Sequence, residues 1–302
     1  MKRFLVYFGR LFYRVLTLLR ISRPTVIVLV DGGICSQMYQ YLMGYYLRTV
    51  KGVEVEYNLV WYDVDGKDAN GNSVRNFDLL KAFPDLEFPV ASAKKCKWYN
   101  RLFPYYGYEQ ADYHNAWWEV RPPATILGYF TSPAEVYRPF MDLFKVDAER
   151  VLDKKNLALY NSIARQSSVA VHVRRGDLAT YRRDYGNPVS ESYFVRAIRY
   201  FYDKNQDTQF YFFSDDKDYV RNILIPSIPF TLNSTIVENG DEKGYMDLFL
   251  ISRCQHQITS KGSLGKYGAM LGGGQQDKIV IVEQSDENIA ILKAMNCKFI
   301  SL

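Results

Sequence analysis

Two adjacent arginines, Arg174 and Arg175, close a run that places valines at positions 169, 171 and 173 and His172 between the last two. The guanidinium group is planar and permanently charged. It presents a rigid fork of donors suited to phosphate oxygens. Alternating β-branched side chains from Val169 to Val173 predict a buried strand, and ligands of open α/β sheets bind beyond the carboxyl ends of the strands. Gly176 and Asp177 follow at once. From these residues alone two readings stand level: a phosphate-binding strand end, and a surface turn in which Arg174 or Arg175 pairs with Asp177.

The elements around this stretch decide between them. Residues 169–173 and 210–213 predict strands, the second ending in Ser214, Asp215 and Asp216. Residues 257–259 predict a third strand, running into Ser260, Lys261, Gly262 and Ser263, and residues 278–283 a fourth. Between them, helices are expected from Ser190 to about Tyr202, over 244–252 with Asp247 in the first turn, and over 264–271. Asp216 suits a helix cap, which gives part of the acidic pair a structural job. Repeated β-α units of this kind imply a parallel, doubly wound sheet. Its strand ends bring Arg174, the Ser214–Asp216 run and the Ser260–Ser263 run to one crevice, which favours the ligand site. In the first half, an apolar run over 25–31 predicts a parallel strand, followed by Gly32 and Gly33 and a helical pattern to about Leu47. Strand, double glycine and helix is how a backbone approaches a phosphate or sugar at a helix N-terminus. A structural tight turn accounts for it as well, and the G-x-G-x-x-G fingerprint is absent. Residues 54–62 suggest a further strand, and the charged stretch 146–165 a helical bridge between halves.

Charge is unevenly placed. The chain carries 38 Lys+Arg against 33 Asp+Glu, a net +5, and residues 1–23 hold six of the basic residues and no acid. The remainder balances near neutrality, which disfavours a nucleic-acid partner. At about 100° per residue, Arg3, Arg10 and Arg14 fall on one face of a helix over 1–23, with phenylalanine and leucine opposite. That pattern suits a helix lying in an anionic membrane interface. A helix docked on the protein's own core is the other reading. Arg10 and Arg14 interrupt any bilayer-spanning run, and no signal-peptide cleavage site follows.

Other features carry less chemistry. Asp63 and Asp65 resemble a metal-binding pair but sit in a Gly/Asn-rich turn. The aromatic stretch 98–118 could stack on sugars, though aromatics at this density more often pack cores and rims. Cys35, Cys96, Cys254 and Cys297 are widely spaced and read as reduced thiols of a cytosolic enzyme. With three histidines in the chain, a zinc site has few ligands.

These motifs resemble the α-1,2-fucosyltransferases of glycosyltransferase family 11, of bacterial type. His172-Val173-Arg174-Arg175-Gly176-Asp177 matches H-x-R-R-G-D, and Gly32-Gly33 with Gln37-Met38-Tyr39-Gln40-Tyr41 matches the N-terminal G-G-x-x-x-Q-M-F-Q-Y. Phe213 to Asp216, Tyr245 to Leu248, and Ser252-x-Cys254-x-His256 follow in order. The resemblance implies a GT-B fold of two Rossmann-like lobes facing a cleft. With the basic helix at 1–23, the lobes are expected over 24–150, on the acceptor side, and 151–302, binding the nucleotide sugar. It further implies a GDP-fucose donor, a glycan acceptor, inverting transfer to a galactoside hydroxyl in α-1,2 linkage, and no metal or other cofactor. By motif position Arg174 binds the β-phosphate with Arg175 in support, and these two are the expected catalytic residues. His172 and Asp247 contact the nucleotide, Ser263 lies beside the pyrophosphate, and Gly32 and Gly33 approach the donor. Together with the basic N-terminus, the expected place of work is the cytoplasmic face of a membrane, on a surface polysaccharide or lipid-linked unit.

In such a displacement negative charge grows on the departing pyrophosphate, and arginine and helix N-terminal N–H groups stabilise it when no metal does. The acceptor hydroxyl also needs a base. Asp177 is the nearest motif carboxylate and is read as holding an arginine. The sequence departs from the family at Cys35-Ser36, where G-N is common, and over Lys261–Ala269, which retains Ser263 and Gly268-Ala269 but replaces an asparagine and two tryptophans of N-S-S-F-S-W-W-G-A. Lys261 and Lys266 leave open another nucleotide sugar, and the aromatic stretch a catalytically silent glycan-binding protein.

Overall fold

The computed structural model describes all residues except 1, 65, 67–73, 107–116, 128–131, 133, 181–186, 274–276, 284–291 and 294–296. The chain divides into two units, one made of residues 1–80 and 84–140, the other of 81–83 and 141–302.

The first unit begins with helix α1 (Lys2–Leu18), which ends earlier than the sequence pattern suggests. Arg20 adopts a left-handed conformation, φ 57°, and the chain turns there, short of the 1–23 span expected for the helix. A four-stranded sheet follows, built from β1 (Thr25–Leu29), β2 (Glu54–Asn58), β3 (Tyr105–Tyr106) and β4 (Ala124–Ile126) in the order β2-β1-β4-β3. All its pairings are parallel. The apolar run of β1 is buried, as a strand covered on both faces requires. Helix α2 (Ile34–Thr49) and helix α3 (Ala93–Leu102) complete the unit. The strand expected over 54–62 stops at Asn58, because the Asn58 side chain accepts the Val60 N–H at 2.9 Å and opens a short helix over Val60–Val64. Asp63 lies in that short helix, while Asp65 is outside the described residues.

The second unit holds a six-stranded sheet in the order β10-β9-β8-β5-β6-β7, again wholly parallel. Its strands are β5 (Ser168–Val173), β6 (Gln209–Ser214), β7 (Ser234–Ile236), β8 (His256–Thr259), β9 (Val280–Val282) and β10 (Phe299–Ser301). Connecting helices are α4 (Lys154–Ile163), α5 (Glu191–Tyr202), α6 (Gly244–Arg253) and α7 (Ser263–Leu271). Residues alternate between the two faces. Val169, Val171, Val173, Phe210 and Phe212 pack with Tyr193, Phe194, Ala197, Ile198 and Phe201 of α5. Ala170, Tyr211 and Phe213 pack with Ile163, Leu250 and Ile251 on the opposite face. Each buried valine, leucine, isoleucine or phenylalanine among them contributes about 1.5–3 kcal/mol relative to exposure.

The stretch 146–165 sorts entirely with the second unit, as short helix Ala148–Val151 and α4, so it forms part of that unit and not a bridge. Residues 141–150 belong there too. Phe144 packs on Phe83 with ring centroids 4.9 Å apart, and Phe83 packs on Phe249 at 5.6 Å.

One buried charge fixes the far end of α6. Lys278 is almost fully buried, and its ammonium donates to the carbonyls of Cys254 at 2.7 Å and of Ile251 and Ser252 at 3.3 Å. Burial lowers its pKa to about 8. A Cβ on Gly272 would come within 2.7 Å of that Nζ, so the chain passes there without a side chain. Replacing Lys278 with Met leaves the ending carbonyls without their donor. The expected cost is about 1–3 kcal/mol, read as a lower urea midpoint.

Candidate functional site

The order of the larger sheet puts the reversal of winding between β5 and β8. The chain steps outward from β5 through β6 to β7 on one side and through β8, β9 and β10 on the other. Such a reversal opens a crevice at the carboxyl ends of the two strands, because their helices leave on opposite faces. Arg174 stands at the end of β5 and Ser260 at the end of β8. The Arg174 N–H donates to Ser260 Oγ at 2.8 Å, and the Ser260 N–H donates to the His172 carbonyl at 3.1 Å. The two strand ends are therefore tied across the switch point.

Helix α7 starts three residues after Ser260 and closes over this tie. Its N-cap, Gly262, has φ 107°, a left-handed region that favours glycine. A Cβ there would lie 2.7 Å from Arg174 Nη1 and 2.9 Å from its Cδ. One turn on, a Cβ at Gly265 would overlap Thr259 Oγ1 and reach 3.0 Å from His172 Nδ1. Two missing side chains thus allow the first turn of α7 to lie against the Arg174 guanidinium. Ser263 is the first residue of that turn and is half-buried. An arginine beside a helix N-terminus is an arrangement whose chemistry suits an anion such as phosphate.

His172 lies beneath. It is buried, and burial followed by the nearby charge of Arg174 lowers its pKa to about 3, so the ring is neutral at physiological pH. Its Nδ1 lies 3.4 Å from Ser260 Oγ. A neutral imidazole at that point adds no second cation beside Arg174.

Arg175 is held by the neighbouring strand end. Its N–H donates to Asp215 Oδ1 at 2.8 Å. Its guanidinium stacks over the Tyr219 ring at 4.0 Å, with Nε 4.0 Å from Asp216 Oδ2. Asp216 also caps the following turn through the Tyr219 N–H at 3.0 Å. Burial raises the Tyr219 pKa, and its hydroxyl donates to Glu191 at 2.7 Å, which holds that carboxyl below its usual range. A paired arginine does occur in this turn, and its described partners come from the end of β6. The Asp177 side chain is outside the described set.

Asp247 joins a different polar cluster. It sits in the first turn of α6 and accepts from Asn239 Nδ2 at 2.7 Å. Asn239 in turn exchanges hydrogen bonds of 2.9 and 3.2 Å with the buried Asn156. The structure therefore brings His172, Arg174, Arg175 and Ser263 to neighbouring strand ends of the second unit, with Asp247 in its own network.

Gly32 and Gly33 lie in the first unit, between β1 and α2. Gly32 has φ 71°, and a Cβ on Gly33 would meet nothing within 4 Å. The turn is organised by two glutamines whose roles the sequence reading left unassigned. Gln37, fully buried, donates to the carbonyls of Gly32 at 3.1 Å and Asn76 at 2.8 Å and accepts the Asp78 and Leu79 N–H groups at 2.9 Å. Gln40 donates to Asp31 Oδ1 at 2.6 Å and accepts the Asp31 N–H at 3.1 Å. Tyr62 adds a hydroxyl donation to the Gly32 carbonyl at 2.9 Å. The available signal was the pair of amides one turn apart in an otherwise apolar helix.

Two measurements follow from this geometry. Gly265→Ala forces α7 away from Thr259 and His172, and should cost about 1–3 kcal/mol, read by urea denaturation. For His172 the unfolded pKa of 6.5 lies above the folded value of about 3. The unfolded chain therefore binds the extra proton in that window, and stability falls as pH drops below 6.5, by up to about 1.4 kcal/mol per pH unit. His256, lowered to about 4 mainly by burial, adds in the same direction. A His172→Asn chain should show a shallower loss of urea midpoint on acidification than the parent chain.

Comparison with known proteins places this architecture. The profile described as "Glycosyl transferase family 11" matches residues 123–298, more than half of the chain. An α-1,2-colitosyltransferase of Escherichia coli is 22% identical over 266 residues, covering 82% of this chain and 87% of that protein. The O-antigen biosynthesis glycosyltransferase WbnK of Escherichia coli is 26% identical over 146 residues, which span only 47% of each chain. Among solved structures, the NodZ α-1,6-fucosyltransferase co-crystallized with GDP superposes with a TM-score of 0.50 at 14% identity, over 83% of this chain and 93% of that one. That likeness speaks for fold, and the fold is of GT-B type, two α/β units each built on a parallel sheet. With a match over its second unit and the end of its first, the chain belongs to glycosyltransferase family 11.

Proposed function

We propose that this glycosyltransferase moves L-fucose from GDP-fucose to a galactoside hydroxyl of a glycan, in α-1,2 linkage and with inversion. The observation that carries the reading is the Arg174 guanidinium lying against the first turn of α7 at the switch point of the larger sheet. As the bond from fucose C1 to the β-phosphate oxygen breaks, negative charge moves onto the pyrophosphate. Arg174 and the α7 N–H groups receive it without reorganising. Arg175, fixed by Tyr219 and Asp216, supports the turn and adds positive potential. Neutral His172 and Asp247 are assigned to the nucleotide, Ser263 to the pyrophosphate, and Gly32 and Gly33 to close backbone approach. No metal is needed for this division of labour.

A second reading keeps the mechanism and changes the sugar. It is favoured by the long match to a protein named α-1,2-colitosyltransferase and by Lys261 and Lys266 in the segment that opens α7. A thermal-shift panel of GDP, UDP, GDP-fucose and other GDP-sugars separates the two. Stabilisation by GDP and GDP-fucose is expected, and stabilisation by UDP alone would overturn both. In a GDP-release assay with GDP-fucose and galactoside acceptors, Arg174→Ala should lower the rate by about two to three orders of magnitude. The parent rate should survive excess EDTA. Retained transfer in Arg174→Ala would remove the central assignment.

A further inference from the structure

Helix α1 is attached to the first unit by a face that is not its apolar one. Gly9 rests on Leu102 of α3, where a Cβ would come within 2.6 Å. Tyr13 is buried and exchanges a 2.7 Å hydroxyl contact with Tyr99. Arg10 Nε donates to the Leu102 carbonyl at 2.5 Å. At about 100° per residue, Gly9, Tyr13 and Thr17 form one stripe. The opposite sector holds Phe4, Phe8, Leu11, Phe12, Val15 and Leu18, which are 44–82% exposed.

A helix serving to close its own core would bury that sector, so docking of the helix leaves the question of what covers its apolar face. The exposed patch continues onto α3. Phe12 meets the ring of Trp98 edge-on at 6.5 Å, and Trp98 is itself 44% exposed. The same exposed side of α3 carries Lys94, Lys97 and Arg101, and Arg14 is exposed on α1. Neither 1–23 nor 92–103 contains an acidic residue. Among the described residues no helix is long and apolar enough to cross a membrane.

We propose that α1 and α3 together form a docking surface for an anionic lipid bilayer. The α1 sector enters the acyl boundary, Trp98 sits at headgroup level, and the cations of both helices meet lipid phosphates. Charge selects this occupant. A second copy of the chain would bring two basic, acid-free faces together, whereas an anionic leaflet neutralises them. The sequence pattern pointed to residues 1–23 alone, and the structure adds α3 as the second half of the surface. The proposal is independent of the sugar transferred.

The test is co-flotation of the full chain with vesicles of phosphatidylcholine alone and of phosphatidylcholine with phosphatidylglycerol. Binding to the anionic vesicles, weakened by salt, is expected. Phe8→Glu with Phe12→Glu should abolish it, and reversing Lys94, Lys97 and Arg101 to Glu should lower partitioning by at least about tenfold. All these side chains are exposed, and unchanged thermal midpoints would verify folding. Equal flotation on both vesicle types, or none, would overturn the proposal. Unchanged partitioning of the α3 charge-reversal chain would overturn the two-helix surface. A dimer in sedimentation that Phe8→Glu with Phe12→Glu dissociates would assign the face to self-association instead.

Discussion

The arrangement of the larger unit depends on how closely helix α7 approaches the ends of β5 and β8. Gly262 and Gly265 remove the two side chains that would hold it off, one facing Arg174 and one facing Thr259 and His172. Ser260 then reaches the Arg174 N–H, and the strand ends are locked to each other. The same closeness buries His172 next to a guanidinium, so its proton is expelled and the ring adds no charge beside Arg174. A single steric condition thus sets backbone geometry, local charge and the direction in which a helix N-terminus faces.

Much of this was readable before any coordinates, and the reasons are specific. Strands β5 and β6 are long enough for alternation to show, and α5 carries Phe194, Ala197, Ile198 and Phe201 at helical spacing. Strands β3, β4, β7 and β10 have two or three residues each, too few for any period to emerge. They exist because a neighbouring strand supplies their partners. The polar strand ends were legible as a group, but their spacing did not tell Arg174 from Arg175; the family resemblance did. Adjacent in sequence, they face different strands, and the pairing of β5 with both β6 and β8 gives the physical reason.

Side chains whose job is to hold loops were the least visible class. Neither Gln37 nor Gln40 has a role that helical periodicity reveals, yet Gln40 holds Asp31 at the start of its own turn and Gln37 holds the backbone of residues 76–79, far along the chain. Long-range backbone satisfaction leaves no periodic trace. The N-terminal helix shows the converse. Its amphipathic pattern identified an apolar face correctly, but the pattern carries no information on which face the protein keeps for itself.

The two units are not successive segments. Residues 81–83 are drawn from the first third of the chain into the second unit, where Phe83 fills a place between Phe144 and Phe249. A chain begun at Met141 would therefore fold its larger sheet around a missing aromatic side chain, with a void in its stead. During synthesis the same residue waits, made early, until Phe249 has emerged. Separating the protein into independently expressed halves would require carrying residue 83 across the cut.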